Sequence, residues 1–348
     1  MSKFVALSVM YASALLALGA HAESVTIQGA GSTFVAPLMA RWTNEYNKAN
    51  PSVKVDYSAT GSGGGIKGIT DRTIQFGATD GPMTDEQLKA APGPILHIPT
   101  VSGPEVMIYN LPTVKDLRLS GDVVAEIYLG KITKWNDPKI VALNSGVELP
   151  AKDIVVAHRS DGSGTTWIFT NYLSKVSAEW KKKAGNATSV KWPTGVGGKG
   201  NAGVAAAVKN SEGGIGYVEL AFAVEGNLSY ATQINKSGKA VRASMEGVVA
   251  AQKNSVSEFP ADMRVSITDA GGDESYPICG FVYLLIYQDL SYMKDSAKAM
   301  EVVKYANWCV TEGQAMAKPN YSPLPAEVQA KVEAQLKTIV FDGQPLLK

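Results

Sequence analysis

The chain has 348 residues, of which 45% are hydrophobic and 19% are charged. An apolar fraction of this size excludes global disorder, and at roughly 150 residues per domain the length indicates about two domains. The 33 basic and 32 acidic residues nearly balance, which argues against a nucleic-acid-binding protein, because such proteins carry a basic excess. Two cysteines and three histidines are too few to indicate a disulfide scaffold or a metal site.

The N-terminus has the pattern of a secretory signal peptide. Lys3 supplies a positive charge, residues 4–18 form an apolar run, and Ala20 and Ala22 form an A-x-A cleavage site. The apolar run is shorter than the roughly 20 residues that span a bilayer. We therefore predict that residues 1–22 are removed and that a soluble product is exported to the periplasm.

Export affects the interpretation of the two cysteines. An oxidising compartment permits a disulfide between Cys279 and Cys309. In the chain-entropy description, closing a loop of about 30 residues stabilises the fold by roughly 3–4 kcal/mol. The sequence predicts this disulfide, and the alternative is two buried thiols that never meet. Either arrangement is structural, because no histidine or aspartate motif surrounds the two residues.

A succession of apolar strand, small-residue turn and helix recurs along the chain. Strands are predicted at 25–27, 53–57, 74–78 and 154–157, with turns at 29–33, 60–65, 79–82 and 158–165. This alternation indicates an α/β fold with mainly parallel sheets, in which ligands bind beyond the carboxyl ends of the strands. All four turns lie at that position.

The rest of the chain gives fewer signals. A buried strand is predicted at 278–287, and helices are predicted at 301–311 and 326–340. Thr84 and Gln87 have the spacing of a capping box, which predicts the start of another helix. Residues 191–203 are predicted to form a glycine-rich loop, and residues 235–275 an irregular polar segment.

The four turns have the composition of an oxyanion site. A helix N-terminus presents unpaired N–H groups, serine and threonine add neutral donors, and glycine lets the backbone approach a ligand. Arg159 adds a forked donor. Each turn taken alone is also explained by ordinary capping. Four turns of one kind favour a shared site for a small tetrahedral anion.

Asp80 gives this site a selectivity. An ionised carboxylate only accepts hydrogen bonds, so it suits an anion site only when the ligand itself carries a proton. Phosphate near neutral pH carries one, whereas sulfate does not. Asp80 would therefore admit phosphate and repel sulfate. A plain turn role remains open for Asp80, and Asp161 is open to two roles, orienting Arg159 or forming a turn.

A family resemblance rests on these same residues. Motifs in order along nearly the whole mature chain resemble the periplasmic phosphate-binding protein of the bacterial phosphate ABC transporter. They are GAGSTF at 29–34, GSGG at 61–64, FGATD at 76–80, IYLGKI at 127–132, RSDGSGT at 159–165, KWP at 191–193, GGKGN at 197–201 and GIGYVE at 214–219. The resemblance implies a two-lobe, type II Venus-flytrap fold with a hinge. Lobe 1 would comprise residues 23–101 and 281–348, and lobe 2 residues 102–280.

The resemblance also implies the ligand set. The corresponding residues of this chain are Thr33, Phe34, Ser62, Asp80, Arg159, Ser163, Gly164 and Thr165, with Asp161 supporting Arg159. Asp80 would accept the phosphate proton and the others would donate. Ser32, Thr79 and the cysteine pair depart from the family pattern. The implied function is capture of inorganic phosphate by a monomer that delivers it to a membrane permease, with no cofactor, metal or catalysis.

Other functions fit the sequence less well. A nucleophilic serine in G-x-S-x-G is absent at Ser62 and Ser163, which argues against that class of hydrolase. Residues 195–200 satisfy G-x-G-x-x-G, but no buried strand is predicted before them, as a nucleotide site requires. A binding protein for another tetrahedral oxyanion, sulfate or molybdate, is the remaining alternative, and Asp80 argues against it.

Overall fold

The computed structural model describes residues 24–255 and 259–348. The predicted signal peptide, residues 1–22, lies outside the described residues. Within the two described ranges, no helix has both the length and the apolar character that crossing a membrane requires.

The first part of the chain alternates strands and helices, as predicted. Its elements are β1 (Val25–Gly31), α1 (Ala36–Ala49), β2 (Val53–Ser58), α2 (Ser62–Thr70), β3 (Phe76–Thr79), α3 (Asp85–Ala90) and β4 (Ile95–Tyr109). Pro37 lies in the first turn of α1, where a missing N–H costs nothing. The predicted capping box of Thr84 and Gln87 is confirmed at the start of α3.

The middle of the chain carries a second set of strand–helix units. These are β5 (Arg118–Ser120), α4 (Gly121–Tyr128), α5 (Pro138–Leu143), β6 (Val155–Arg159), α6 (Gly164–Val176), α7 (Ala178–Lys183), β7 (Val196–Gly198), α8 (Gly200–Lys209), β8 (Gly214–Glu219) and α9 (Leu220–Glu225). Short strands and one helix follow: β9 (Ser229–Tyr230), β10 (Thr232–Ile234), β11 (Ala240–Val241) and α10 (Met245–Ser255).

The C-terminal part returns to the first set of strands. Its elements are β12 (Cys279–Tyr287), α11 (Ser296–Val310), β13 (Ser322–Pro323), α12 (Ala326–Leu336), β14 (Val340–Phe341) and β15 (Gln344–Pro345), with 3₁₀ turns at Ser291–Met293 and Glu312–Met316. The predicted strand at 278–287 is confirmed as β12. The two predicted helices are confirmed as α11 and α12, although α11 begins earlier and α12 ends earlier than predicted.

The main sheet is parallel in its outer parts and antiparallel in the middle. Its spatial order is β2-β1-β3-β12-β4-β8-β6-β7. β1 pairs in parallel with β2 and β3, and β6 pairs in parallel with β7 and β8. The three central pairs, β3–β12, β12–β4 and β4–β8, are antiparallel. The fold is therefore α/β with two lobes, as predicted.

Strand β4 joins the two lobes. Its residues 95–104 pair with β12, whereas its residues 105–109 pair with β8. The predicted lobe boundaries, 101/102 and 280/281, fall within the stretch where β4 and β12 pair. The boundaries themselves stay a prediction.

Close packing of α2 positions the first lobe's turns. A Cβ on Gly65 would lie 2.7 Å from the carbonyl oxygens of both Ala30 and Ala78, so only glycine lets α2 lie this close to β1 and β3. This contact places Ser62, the first residue of α2, at the carboxyl ends of the two strands.

The predicted disulfide between Cys279 and Cys309 is wrong, because the structure holds both as free, buried thiols. Cys279 opens β12, and its Sγ donates to the carbonyl oxygen of Tyr276 at 3.2 Å. Cys309 lies in α11, where burial raises the pKa of its thiol. The spacing of two cysteines along the chain does not determine whether their sulfur atoms come within bonding distance in the fold.

Two segments predicted to be irregular contain regular elements. Residues 191–203 include β7 and the start of α8, and residues 235–275 include β11 and α10. The glycines of β7 weakened the strand signal, since they supply no apolar side chain. The G-x-G-x-x-G at 195–200 contains β7 rather than following a strand, so the context of a nucleotide site is still missing.

Candidate oxyanion-binding site

Four helices begin at one interface between the lobes. α1 follows β1, α2 follows β2, α6 follows β6, and α8 follows β7. Gly63 N–H, in α2, donates to the carbonyl oxygen of Gly162, just before α6, at 2.8 Å. Asn201 Nδ2, at the start of α8, donates to Thr33 Oγ1, before α1, at 2.9 Å. These contacts bring the partial positive charges of four helix ends together across the cleft.

Asp80 is buried at this interface, directly after β3, with 2% of its surface exposed. Ser32 Oγ donates to Asp80 Oδ1, and the Asp80 backbone N–H donates to Ser62 Oγ at 3.3 Å. Burial raises the pKa of Asp80 to about 7, against the Ser32 hydrogen bond and the charge of Arg159, which lower it. A carboxyl group titrating near neutral pH can accept a proton from a ligand.

Arg159 ends β6, and its side chain is 1% exposed. Its Nε donates to Asp161 Oδ1 at 2.8 Å and its Nη2 to Asp161 Oδ2 at 2.5 Å, which makes a bidentate pair. Asp161 Oδ1 also accepts from Gly200 N–H at 3.0 Å. Burial opposes ionisation of Asp161, but Arg159 outweighs it and holds the pKa of Asp161 below its usual value. This geometry is the one that Asp161 needs in order to orient the guanidinium of Arg159.

The hydroxyl groups of the site already accept hydrogen bonds from N–H donors. Ser62 Oγ accepts from Asp80, Ser163 Oγ accepts from Thr166 N–H at 3.0 Å, and Thr165 Oγ1 accepts from Arg159 Nη1 at 3.2 Å. Because an N–H group can only donate, each of these hydroxyls keeps its own proton free for another acceptor. The site therefore offers O–H donors, which suit the oxygens of an anion.

Gly164, the first residue of α6, faces the other lobe at very short range. A Cβ at this position would lie 2.5 Å from Asp80 Oδ2 and 2.6 Å from Ser62 Oγ.

Phe34 lies in the turn between β1 and α1, where its carbonyl oxygen accepts a hydrogen bond from Tyr321 Oη at 2.8 Å. The structure thus brings the residues of the predicted site together, whereas their roles as ligands stay a prediction.

Two more carboxyl groups lie in the sheet behind the site. Glu105 on β4 and Glu219 at the end of β8 are opposite each other in register, and both are fully buried. Burial raises the pKa of each well above its usual value, and the charge of Asp80 raises both further. Burial therefore favours the neutral form of both glutamates, which does not repel an anion.

A cavity of about 310 Å³ opens beside this interface, and Thr33, Asp161 and Asn201 are among the residues that line it. Lys199 also lines it and adds a positive charge. A larger cavity of about 750 Å³ lies between α10 and α12, and none of the predicted site residues lines it. The candidate site is therefore identified by the hydrogen-bonding and charged groups of the cleft and not by the volume of the cavity.

Sequence reasoning gave no site role to two residues. Ser32 stands in the GAGSTF motif, where it departs from the family pattern, and its hydroxyl donates to Asp80. Asn201 stands in the GGKGN motif, and its side chain contacts Thr33 and also Thr165. The sequence signal for Asn201 is a fifth turn of glycine and a polar residue, which lies between a short strand and a helix. The prediction of a loop at 191–203 hides this signal, because it includes neither the strand nor the helix.

This fold, with a polar cleft between two lobes, defines the class of periplasmic binding proteins. The family model described as PBP superfamily domain matches residues 19–311. Among solved structures, the high-affinity periplasmic phosphate-binding protein PfluDING has a TM-score of 0.69 and 20% identity, with 89% of this chain and 93% of that chain covered. At that identity, the likeness shows the fold alone.

Sequence relatives identify the family more narrowly. The phosphate-binding protein PstS of Pasteurella multocida is 46% identical over 329 residues, which cover 93% of this chain and 94% of the relative. The phosphate-binding protein PstS of Xylella fastidiosa strain Temecula1 is 43% identical over 316 residues, covering 90% and 85%. The chain belongs to the PstS family of phosphate-binding proteins.

Proposed function

We propose that this chain binds inorganic phosphate between its two lobes and delivers it to the permease of an ABC transporter. The observation that carries the proposal is the buried carboxyl group of Asp80 among groups that donate hydrogen bonds. Phosphate offers acceptor oxygens to the donors and a proton to Asp80. The names of the relatives support this ligand, and so does PfluDING, which was solved bound with phosphate.

The same arrangement disfavours sulfate and molybdate. Near neutral pH neither carries a proton, so each would place an acceptor oxygen against the ionised form of Asp80. Such a contact is repulsive. Selectivity would therefore come from a repulsive contact as much as from the attractive ones.

We further propose that the chain works as a monomer in the periplasm and performs no chemistry on its ligand. The buried Arg159 is paired with Asp161, which holds its guanidinium in one orientation, as a group that binds an anion requires. Closing of the lobes is the mechanistic event, because donors from both lobes meet one anion only in the closed form.

Titration calorimetry of the mature protein, stripped of bound ligand, tests the proposal. We expect one-to-one binding of phosphate and no binding of sulfate. In Asp80→Asn, the amide oxygen still accepts a hydrogen bond from phosphate, but the amino group can also donate to sulfate, so the preference for phosphate should narrow by at least about tenfold, or about 1.4 kcal/mol.

The matched control is Asp56→Asn, because Asp56 is 47% exposed on β2 and pairs with Lys54 instead. It should bind as the wild type does. Absence of phosphate binding by the wild-type protein would overturn the proposed function. Unchanged exclusion of sulfate by Asp80→Asn would show that Asp80 is not the proton acceptor.

A further inference from the structure

Asn201 lies fully buried between the lobes, and its side chain connects three segments. Its Oδ1 accepts from the backbone N–H of Glu219 at 3.0 Å. Its Nδ2 donates to Thr33 Oγ1 at 2.9 Å and to Thr165 Oγ1 at 3.2 Å. The two threonines come from opposite predicted lobes, so one amide group contacts a predicted ligand on each side of the cleft.

The orientation of this amide is fixed by its partners. The Glu219 N–H can only donate, so the atom facing it must be the carbonyl oxygen of Asn201. The amino group must then face the two threonines. The backbone N–H of Asn201 also donates to Thr33 Oγ1, at 3.3 Å.

These bonds determine what the threonine hydroxyls can do. Thr33 Oγ1 accepts twice from Asn201, and Thr165 Oγ1 accepts from Asn201 and from Arg159. A hydroxyl oxygen has two lone pairs, and both are then occupied. Each hydroxyl can interact with a ligand only by donating its proton.

We propose that Asn201 is a positioning residue that makes Thr33 and Thr165 obligate donors, so that neither hydroxyl competes with Asp80 for the proton of the ligand. The proposal rests on the proposed function, because it assigns these hydroxyls to bound phosphate. Without Asn201, each threonine hydroxyl could rotate and present a lone pair to a phosphate oxygen, which is repulsive. Asn201 also links the lobes, so it favours the closed form.

A double-mutant cycle measures this role directly. Phosphate affinity is determined by calorimetry for the wild type, Asn201→Ala, Thr165→Val and the double variant. We expect Asn201→Ala to weaken binding by about tenfold, the effect of roughly one hydrogen bond. The loss of affinity in the double variant should be smaller than the product of the two single losses, because the part of the Asn201 effect that passes through Thr165 needs the hydroxyl that valine lacks. Losses that multiply fully would overturn the proposal.

Asn235→Ala is the matched control. Asn235 is also a buried asparagine, but its Nδ2 donates to the carbonyl oxygens of Gly272, Asp273 and Ser275. Its loss should lower the unfolding temperature without changing phosphate affinity. If Asn201→Ala does not fold, Asn201→Asp, which keeps an acceptor for Glu219 N–H, is measured in the same two backgrounds. Its loss of affinity should be smaller when Thr165 is valine.

The two proposals fail in different ways. If the wild-type protein binds no phosphate, the proposed function is wrong, whatever the variants do. If the wild type binds phosphate and Asn201→Ala binds it equally well, the function stands and the role of Asn201 is wrong.

Discussion

At the scale of single residues, the site combines carboxyl groups whose protonation is set by burial and by their charged partners. Asp80 and Asp161 lie in the same cleft, yet burial raises the pKa of Asp80 while Arg159 lowers that of Asp161. The difference follows from the partners, since Asp161 forms a bidentate pair with the Arg159 guanidinium, whereas the Asp80 carboxylate accepts a hydrogen bond from Ser32 and feels Arg159 only through its charge. One carboxylate therefore stays ionised to hold Arg159, and the other remains able to exchange a proton.

The raised pKa of Asp80 predicts a dependence of stability on pH. In the unfolded chain Asp80 releases its proton near its usual pKa of 3.8, whereas in the folded, empty protein it holds the proton up to about pH 7. Between these values the folded state binds more protons, so the free energy of unfolding falls as pH rises. The fall is complete above about pH 7 and amounts to at most about 4 kcal/mol, at about 1.4 kcal/mol per pH unit.

Urea unfolding in phosphate-free buffer checks this prediction. We expect the wild type to lose stability relative to Asp80→Asn as the buffer is raised from about pH 4 to about pH 7, because the amide does not titrate. The comparison removes the contributions of the other titrating groups, which both proteins share. Parallel stability curves for the two proteins would contradict the assignment.

At the scale of elements, the strand–turn–helix units were predictable and the partners of some elements were not. Apolar runs followed by serine, threonine and glycine correctly predicted β1, β2, β3 and β6 with their turns. Local pattern could not show that β12 lies between β3 and β4, because that pairing joins residues about 200 positions apart. The same limit hid Asn201, whose partner Thr33 lies 168 residues away. The prediction of a disulfide between the two cysteines was wrong for the same reason, since sequence spacing does not show which faces of β12 and α11 contact each other.

The separate packing of the two thiols has a direct test. We expect no reaction of Cys279 or Cys309 with a water-soluble thiol reagent in the folded protein, because both side chains have no exposed surface. Two thiols should react per chain after unfolding in denaturant without reductant. Adding reductant should leave the unfolding temperature unchanged. Thiols that react only after reduction would restore the predicted disulfide.

At the scale of the whole molecule, closing of the lobes depends on contacts at glycine positions, where the two lobes approach too closely to leave room for a side chain. Gly63 and Gly162 meet through their backbones, and Gly164 lies against Asp80 and Ser62. By the predicted lobe boundaries, β4 and β12 both cross between the lobes, and they run there as paired strands. A paired crossover of this kind can bend while keeping its hydrogen bonds, which suits a hinge.

Gly164→Ala should block closing while leaving the lobes folded. Its Cβ would lie 2.6 Å from the backbone nitrogen of Asp80, which cannot move aside without displacing β3. An overlap of this kind costs about 1–3 kcal/mol, so phosphate affinity should fall by roughly 10- to 100-fold. Calorimetry gives the affinity, and small-angle scattering shows whether phosphate still makes the protein more compact.

Gly271→Ala is the matched control for that variant, because no described atom lies within 4 Å of a Cβ at Gly271. It should bind phosphate as the wild type does. The unfolding temperature of phosphate-free Gly164→Ala should be no lower than that of the wild type, because alanine is the better helix residue. Normal affinity in Gly164→Ala would show that the bound form is more open than this structure.

The position of β12 in the sheet has a consequence for how the chain is made. A ribosome releases β1, β2, β3 and β4 early, but β3 and β4 are not neighbours in the sheet, and the strand between them is Cys279–Tyr287. For most of synthesis the first lobe therefore lacks its central strand and exposes two unpaired strand edges, which invite association with other chains. The nascent protein therefore cannot complete this lobe until about four-fifths of it has been translated.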